Sequence, residues 1–137
     1  MKSYSQYYQD FFIDFLFKKK RGGVFLDIGA NDGITFSNTY HFEKFRNWTG
    51  LCIEPHPDVF EKLKSVRSCH LENCCIAGRE TTVVFRKITG ADMLSGIVEF
   101  MSDESKRRID NIMRGGVNTL ILSYIREILM ICCKSTA

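Results

Sequence analysis

Apolar and polar positions follow two periods along this chain. Over residues 5–20, Tyr8, Phe11, Phe12, Phe15 and Leu16 recur three and four apart, which predicts an amphipathic helix with Ser5 as N-cap. Gly22-Gly23 ends it, and Val24-Phe25-Leu26 predicts a strand over 23–28. After a turn at 29–34, Phe36, Tyr40, Phe42 and Phe45 predict a second helix over 36–46. A second strand at 51–54 is broken by Pro55-His56-Pro57, where Pro57 suits the first turn of a third helix. Phe60, Leu63 and Val66 give that helix its buried stripe. A strand over 71–76 and an extended run over 81–88 come next, the latter a further strand or hairpin arm. Residues 89–102 connect to a polar helix from Ser102 to about Met113, opened by Ser102-Asp103-Glu104-Ser105. For the apolar tail over 117–133, a helix is the first expectation and a strand at 119–122 the alternative. Alternating strands and helices predict an α/β fold with a mainly parallel sheet.

The turn after the first strand carries the chemistry. It reads Asp27-Ile28-Gly29-Ala30-Asn31-Asp32-Gly33, and Glu54 closes the second strand. A glycine turn after one strand and an acid after the next describe a nucleoside-binding βαβ unit. A dinucleotide fingerprint is G-x-G-x-x-G, built around a pyrophosphate. Here an acid, Asp27, holds the first position, and Gly29 and Gly33 stand four apart. A carboxylate suits an ammonium group better than a pyrophosphate. S-adenosylmethionine offers an ammonium, a ribose and an adenine, with no phosphate, so the spacing favours it over NAD. Asp27 would hold the ammonium, directly or through water, or else cap the turn. Glu54 would accept the ribose hydroxyls, or else be a solvated strand-end acid. Asn31 and Asp32 either contact ligand or satisfy turn N–H groups.

Composition narrows the class without naming a substrate. The chain has 137 residues, enough for one domain, and is 45% hydrophobic and 26% charged. A net charge of +3 is too mild to argue for nucleic acid. The basic residues are dispersed apart from Lys18-Lys19-Lys20-Arg21, a localisation or phosphate patch or, more simply, the cationic end of the first helix. The six cysteines form no C-x-x-C and no disulfide framework, which points to reduced thiols in the cytoplasm and to no metal site. No stretch reads as a signal peptide or a membrane span. The three histidines assemble no nucleophile set, and no catalytic base is assigned. His56 lies on the ribose side, where general-base duty is the lesser reading.

Five ordered blocks resemble the FkbM-type family of S-adenosylmethionine-dependent methyltransferases over roughly residues 3–112. They are Ser5-Gln6-x-x-Gln9-Asp10, residues 25–33, Ser37-Asn38-Thr39, residues 48–57 and Met93-Leu94-Ser95-Gly96-Ile97-Val98. The resemblance implies a Rossmann-like sheet and O-methyl transfer to a hydroxyl on a small molecule or glycan. Carried over by residue, it makes Asp27, Gly29, Ala30, Asn31, Gly33, Glu54 and Pro55 the cofactor-binding set. It also suggests that Gln9 and Asp10 lean over the cofactor mouth, against facing water, and that Ser95 and Gly96 belong to a substrate-side loop. The family's later acidic D-x-E-G-like motif has no counterpart here, and the match fades after residue 112. The expectation is therefore a methyltransferase fold truncated after about three to four strands, with 1–112 as the family-like region and 113–137 as an apolar tail. The alternatives are a non-catalytic nucleoside-binding module and, less well supported, half of an NAD-dependent oxidoreductase. An open edge on the first strand predicts self-association.

Overall fold

The computed structural model describes residues 2–76, 83–88, 92–114 and 122–125. The chain divides into two compact units, Met1–Asn73 and Cys74–Ala137.

The first unit is a βαβαβ run preceded by a helix. Its elements are α1 (Gln9–Leu16), β1 (Val24–Ile28), α2 (Tyr40–Arg46), β2 (Thr49–Ile53), α3 (Pro57–Val66) and β3 (His70–Glu72). The strands form one parallel sheet in the order β1-β2-β3, with Asp27 opposite Cys52 and Ile53 opposite Glu72. This is the expected α/β, Rossmann-like arrangement. Each crossover carries a helix because parallel neighbours need a long return. The core centres on Ala30, Cys52 and Leu63, with Phe25, Phe60, Cys69 and Leu71 packed against it. The α3 stripe is shifted from the expected one: Val59 and Leu63 are its buried residues, while the expected Phe60 and Val66 are half-buried. On the other face of β1, Val24, Leu26 and Ile28 are exposed, and β2 is the strand's sole partner among the described residues.

Three elements depart from expectation. Helix α1 covers Gln9–Leu16 instead of 5–20, and its buried residues are Asp10 and Asp14 instead of its aromatics. The reason is pairing. Asp14 takes Nε and Nη2 of Arg46 on α2 at 2.6 and 2.7 Å. Asp10 gathers the hydroxyls of Ser3 and Ser5 at 2.7 and 2.8 Å and the Tyr4 N–H at 2.8 Å. Buried charge is tolerated only when satisfied in this way. Asp10 therefore does not face water. Helix α2 starts at Tyr40 instead of residue 36, because Phe36 holds a left-handed φ of 57° and Ser37 Oγ accepts the Tyr40 N–H at 3.0 Å. Strand β3 spans His70–Glu72 alone.

The second unit holds β4 (Phe85–Ile88), β5 (Gly96–Ile97), α4 (Asp103–Arg114) and β6 (Leu122–Ile125), with short 3-10 turns at Asp92–Leu94 and Val98–Phe100. Strand β4 is central and antiparallel to both neighbours, so it does not extend the parallel sheet. Ser102 Oγ accepts the Ser105 N–H at 3.1 Å, the cap expected at the start of α4. Where a tail helix was expected first, residues 122–125 form a strand, with Leu122 opposite Ile88. Ladder partners on β4 outweigh the local preference there. The remainder of the expected tail helix lies outside the described residues, as does the start of the 81–88 run.

Candidate cofactor site

The turn after β1 is held by β2. The N–H groups of Gly29 and Ala30 both donate to the Ile53 carbonyl, at 2.8 and 3.0 Å. The Asn31 N–H donates to Glu54 Oε2 at 2.9 Å, and the Gly33 N–H to the Ala30 carbonyl at 3.0 Å. Glu54 is buried, and its Oε1 accepts the His56 N–H at 2.8 Å. The acid at the end of β2 thus braces both the glycine turn and the start of α3.

The two glycines do different work. Gly29 has a φ of +75°, and a Cβ there would meet nothing within 4 Å. Bare backbone is presented on that side of the turn. Gly33 has a φ of +82°, and a Cβ there would lie 2.7 Å from Leu63 Cδ1 and 2.8 Å from Arg67 Cγ. Its smallness lets the turn close onto α3. Asn31 is also left-handed, with φ 51°, a conformation that asparagine tolerates. Asp32 proves to be a turn residue: its Oδ1 accepts the N–H groups of Ile34 and Thr35 at 2.9 and 2.7 Å, and its Oδ2 the Thr35 hydroxyl at 2.6 Å.

Asp27 is half-buried, and its Oδ2 accepts the hydroxyl of Thr39. Its Oδ1 meets no hydrogen-bond donor among the described residues. Thr39 Oγ1 in turn accepts from Arg67 Nη2 at 2.9 Å. Arg67 is buried, donates to the Gly33 carbonyl at 3.2 Å, pairs with Glu43 and lies 5.3 Å from the centre of the Phe25 ring. Burial raises the Glu43 carboxyl, but the Arg67 and Ser68 donors outweigh it and hold the group below its ordinary value. A chain Asp27–Thr39–Arg67–Glu43 therefore runs behind the turn.

Sequence reasoning missed this chain. Arg67 looked like a basic residue at a helix end, and nothing in its spacing shows that it turns inward. Thr39 had one signal, its place in the Ser37-Asn38-Thr39 block. Among the other candidates, Ala30 is buried in the core and Pro55 is half-exposed between β2 and α3. His56 is buried as the N-cap position of α3. In the second unit, Ser95 Oγ accepts the Ile88 N–H at 2.9 Å and Gly96 lies in β5, so both serve the sheet. Burial pushes the Cys52 thiol far up, and its Sγ lies 3.5 Å from that of Cys69.

A recess of about 320 Å³ elsewhere in the first unit is lined by Lys2, Tyr4, His41, Phe45 and Arg46, none of them in the turn. Among the described residues, those that could hold a nucleoside cofactor lie at the turn: Asp27 with a carboxylate oxygen that meets no donor there, Gly29 with open backbone, and the buried acid Glu54.

The methyltransferase FkbM domain matches residues 27–115, beginning at the Asp27 of the turn and running just past α4. No curated protein and no solved structure matches the chain. A match over more than half of the chain, with the turn, Glu54 and α4 inside it, makes this protein a member of the FkbM methyltransferase family.

Proposed function

We propose that this protein binds S-adenosylmethionine at the β1 turn and transfers its methyl group to a hydroxyl of a small molecule or glycan. The observation that carries the cofactor assignment is how the turn spends its N–H groups. Those of Gly29, Ala30, Asn31 and Gly33 are all used within the protein. A pyrophosphate needs such groups free, at a helix N-terminus, and α2 does not begin until Tyr40. A ligand recognised by acids suits the site better. Asp27 Oδ1 is the acceptor for the cofactor ammonium. Glu54 is the acceptor for the ribose hydroxyls, and the open side of Gly29 admits the ligand close to the backbone. Ala30, Asn31, Gly33 and Pro55 shape the turn and the strand end around it. Bound S-adenosylmethionine supplies an activated sulfonium methyl group, so the protein's part is to align an acceptor oxygen with it.

The hydroxyl acceptor rests on the family resemblance, and the cytoplasm as location on the cysteine pattern. No helix of the described residues is long and apolar enough to cross a membrane. Calorimetric titration of the chain with S-adenosylhomocysteine and, separately, with NAD tests the cofactor assignment. Binding of the first and not the second is expected, and preferential NAD binding would overturn it.

A further inference from the structure

Helix α1 wears its composition inside out. Its two acids are the buried residues, Asp10 at 0% and Asp14 at 3% exposure. Phe12, Phe15 and Leu16 share the opposite face at i, i+3 and i+4, with Tyr8 at the N-cap position, and the four are 64%, 77%, 57% and 67% exposed. The chain then leaves the helix through Lys18-Lys19-Lys20-Arg21, all exposed. This run is held against the helix end. Lys18 and Lys19 are left-handed, the Lys19 N–H donates to the Asp14 carbonyl at 2.8 Å, and Trp48 Nε1 donates to the Lys20 carbonyl at 2.9 Å. Within residues 2–23 the only acids are the two buried ones. The exposed charge of this segment is therefore wholly positive.

An aromatic face bordered by cations, with no exposed acid, matches an anionic bilayer. Rings settle at the boundary between headgroups and acyl chains, and long cationic side chains reach the phosphates. A second copy of this chain suits the surface poorly, because a two-fold contact would set the same four cations against one another. At eight residues α1 cannot span a membrane. It can lie on one. We propose that α1 and residues 18–21 dock this protein on an anionic membrane surface, with the Phe12 and Phe15 rings inserted and the cations over the headgroups.

Co-sedimentation of the full chain with vesicles tests this, using phosphatidylcholine alone and phosphatidylcholine mixed with phosphatidylserine. Binding roughly ten- to a hundredfold tighter to the mixed vesicles is expected, weakening as salt is raised. Replacing Lys18, Lys19, Lys20 and Arg21 together by Ser should abolish that preference. The double substitution Phe12→Ser, Phe15→Ser should weaken binding about tenfold or more. Both rings are exposed, so an unchanged circular dichroism melt should accompany the loss. Equal binding to the two vesicle types, or none to either, overturns the proposal. So does self-association that Phe12→Ser, Phe15→Ser abolishes in a chain that does not bind vesicles, which would assign the face to a second copy.

Discussion

The backbone N–H of Asn31 donates to Oε2 of Glu54 at 2.9 Å, tying the turn after β1 to the end of β2. One side chain thereby serves the architecture and, in the proposed function, the cofactor. Glu54→Gln separates the two roles only partly, because a glutamine keeps one acceptor oxygen and turns an N–H₂ toward the other donor. A hydrogen bond to a charged group contributes about 1.5–3 kcal/mol. Affinity for S-adenosylhomocysteine should therefore fall on the order of ten- to a hundredfold by calorimetry. Unchanged affinity would remove Glu54 from the cofactor site.

Gly29 and Gly33 both hold positive φ, yet alanine should affect them differently. At Gly29 the new Cβ meets nothing within 4 Å, so stability should fall only by the left-handed strain, about 1–2 kcal/mol. The methyl group should still obstruct cofactor approach and weaken binding. At Gly33 the Cβ would come within 2.7 Å of Leu63 Cδ1, adding an overpacking cost of about 1–3 kcal/mol to the same strain. Urea denaturation of the two variants compares them directly. Equal losses would mean that Gly33 does not close the turn onto α3.

Arg67→Met keeps an apolar stem under Phe25 and removes the guanidinium. Glu43 then keeps the Ser68 N–H and the Lys44 ammonium 3.8 Å away but loses the buried guanidinium, while Thr39, Ser37 Oγ and the Gly33 carbonyl lose a donor. Breaking a buried pair in this way costs about 3–5 kcal/mol, a large share of a small domain's stability. Arg67→Lys should recover little, since one ammonium cannot reach Glu43, Thr39, Ser37 and the Gly33 carbonyl together, acceptors spread over a planar fork. Full stability in Arg67→Lys by urea denaturation would show that the fork is not needed.

Acid should destabilise the first unit. The hydrogen bond and charge of Arg46 hold the Asp14 carboxyl below its ordinary value against the effect of burial. Asp10 is also lowered, burial opposing it and the donors of Tyr4, Ser3, Ser5 and Phe11 prevailing. A carboxylate whose folded value lies below the unfolded one stabilises fully above the unfolded value. That stabilisation is lost as pH falls through the folded value. Stability should therefore be level near neutral pH and decline below about pH 4. Asp14→Asn should be less stable at neutral pH and show a shallower acid decline, read from urea midpoints across that range. An acid limb as steep as that of the parent would exclude Asp14 as a contributor.

By itself the sequence determined the features that depend on neighbours along the chain. An apolar run leading into Asp27-x-Gly29-x-x-x-Gly33 specifies a strand and a left-handed turn, because strand period and φ preference are local. Glu54 before two prolines marks a strand end for the same reason, and Ser102 with Ser105 marks the start of α4. Tertiary structure alone decided which way each face looks. The aromatic period of α1 is helical whichever face packs, and the meeting of Asp14 with Arg46, and of Asp10 with Ser3, Tyr4 and Ser5, turned the acids inward. Arg67 became the buried tie behind the turn because α3 brought it over Gly33, Thr39 and Glu43. Residues 122–125 became a strand because β4 offered a ladder. In each case the deciding partner is distant in sequence, and burying a charge or a backbone donor is favourable only where that partner stands.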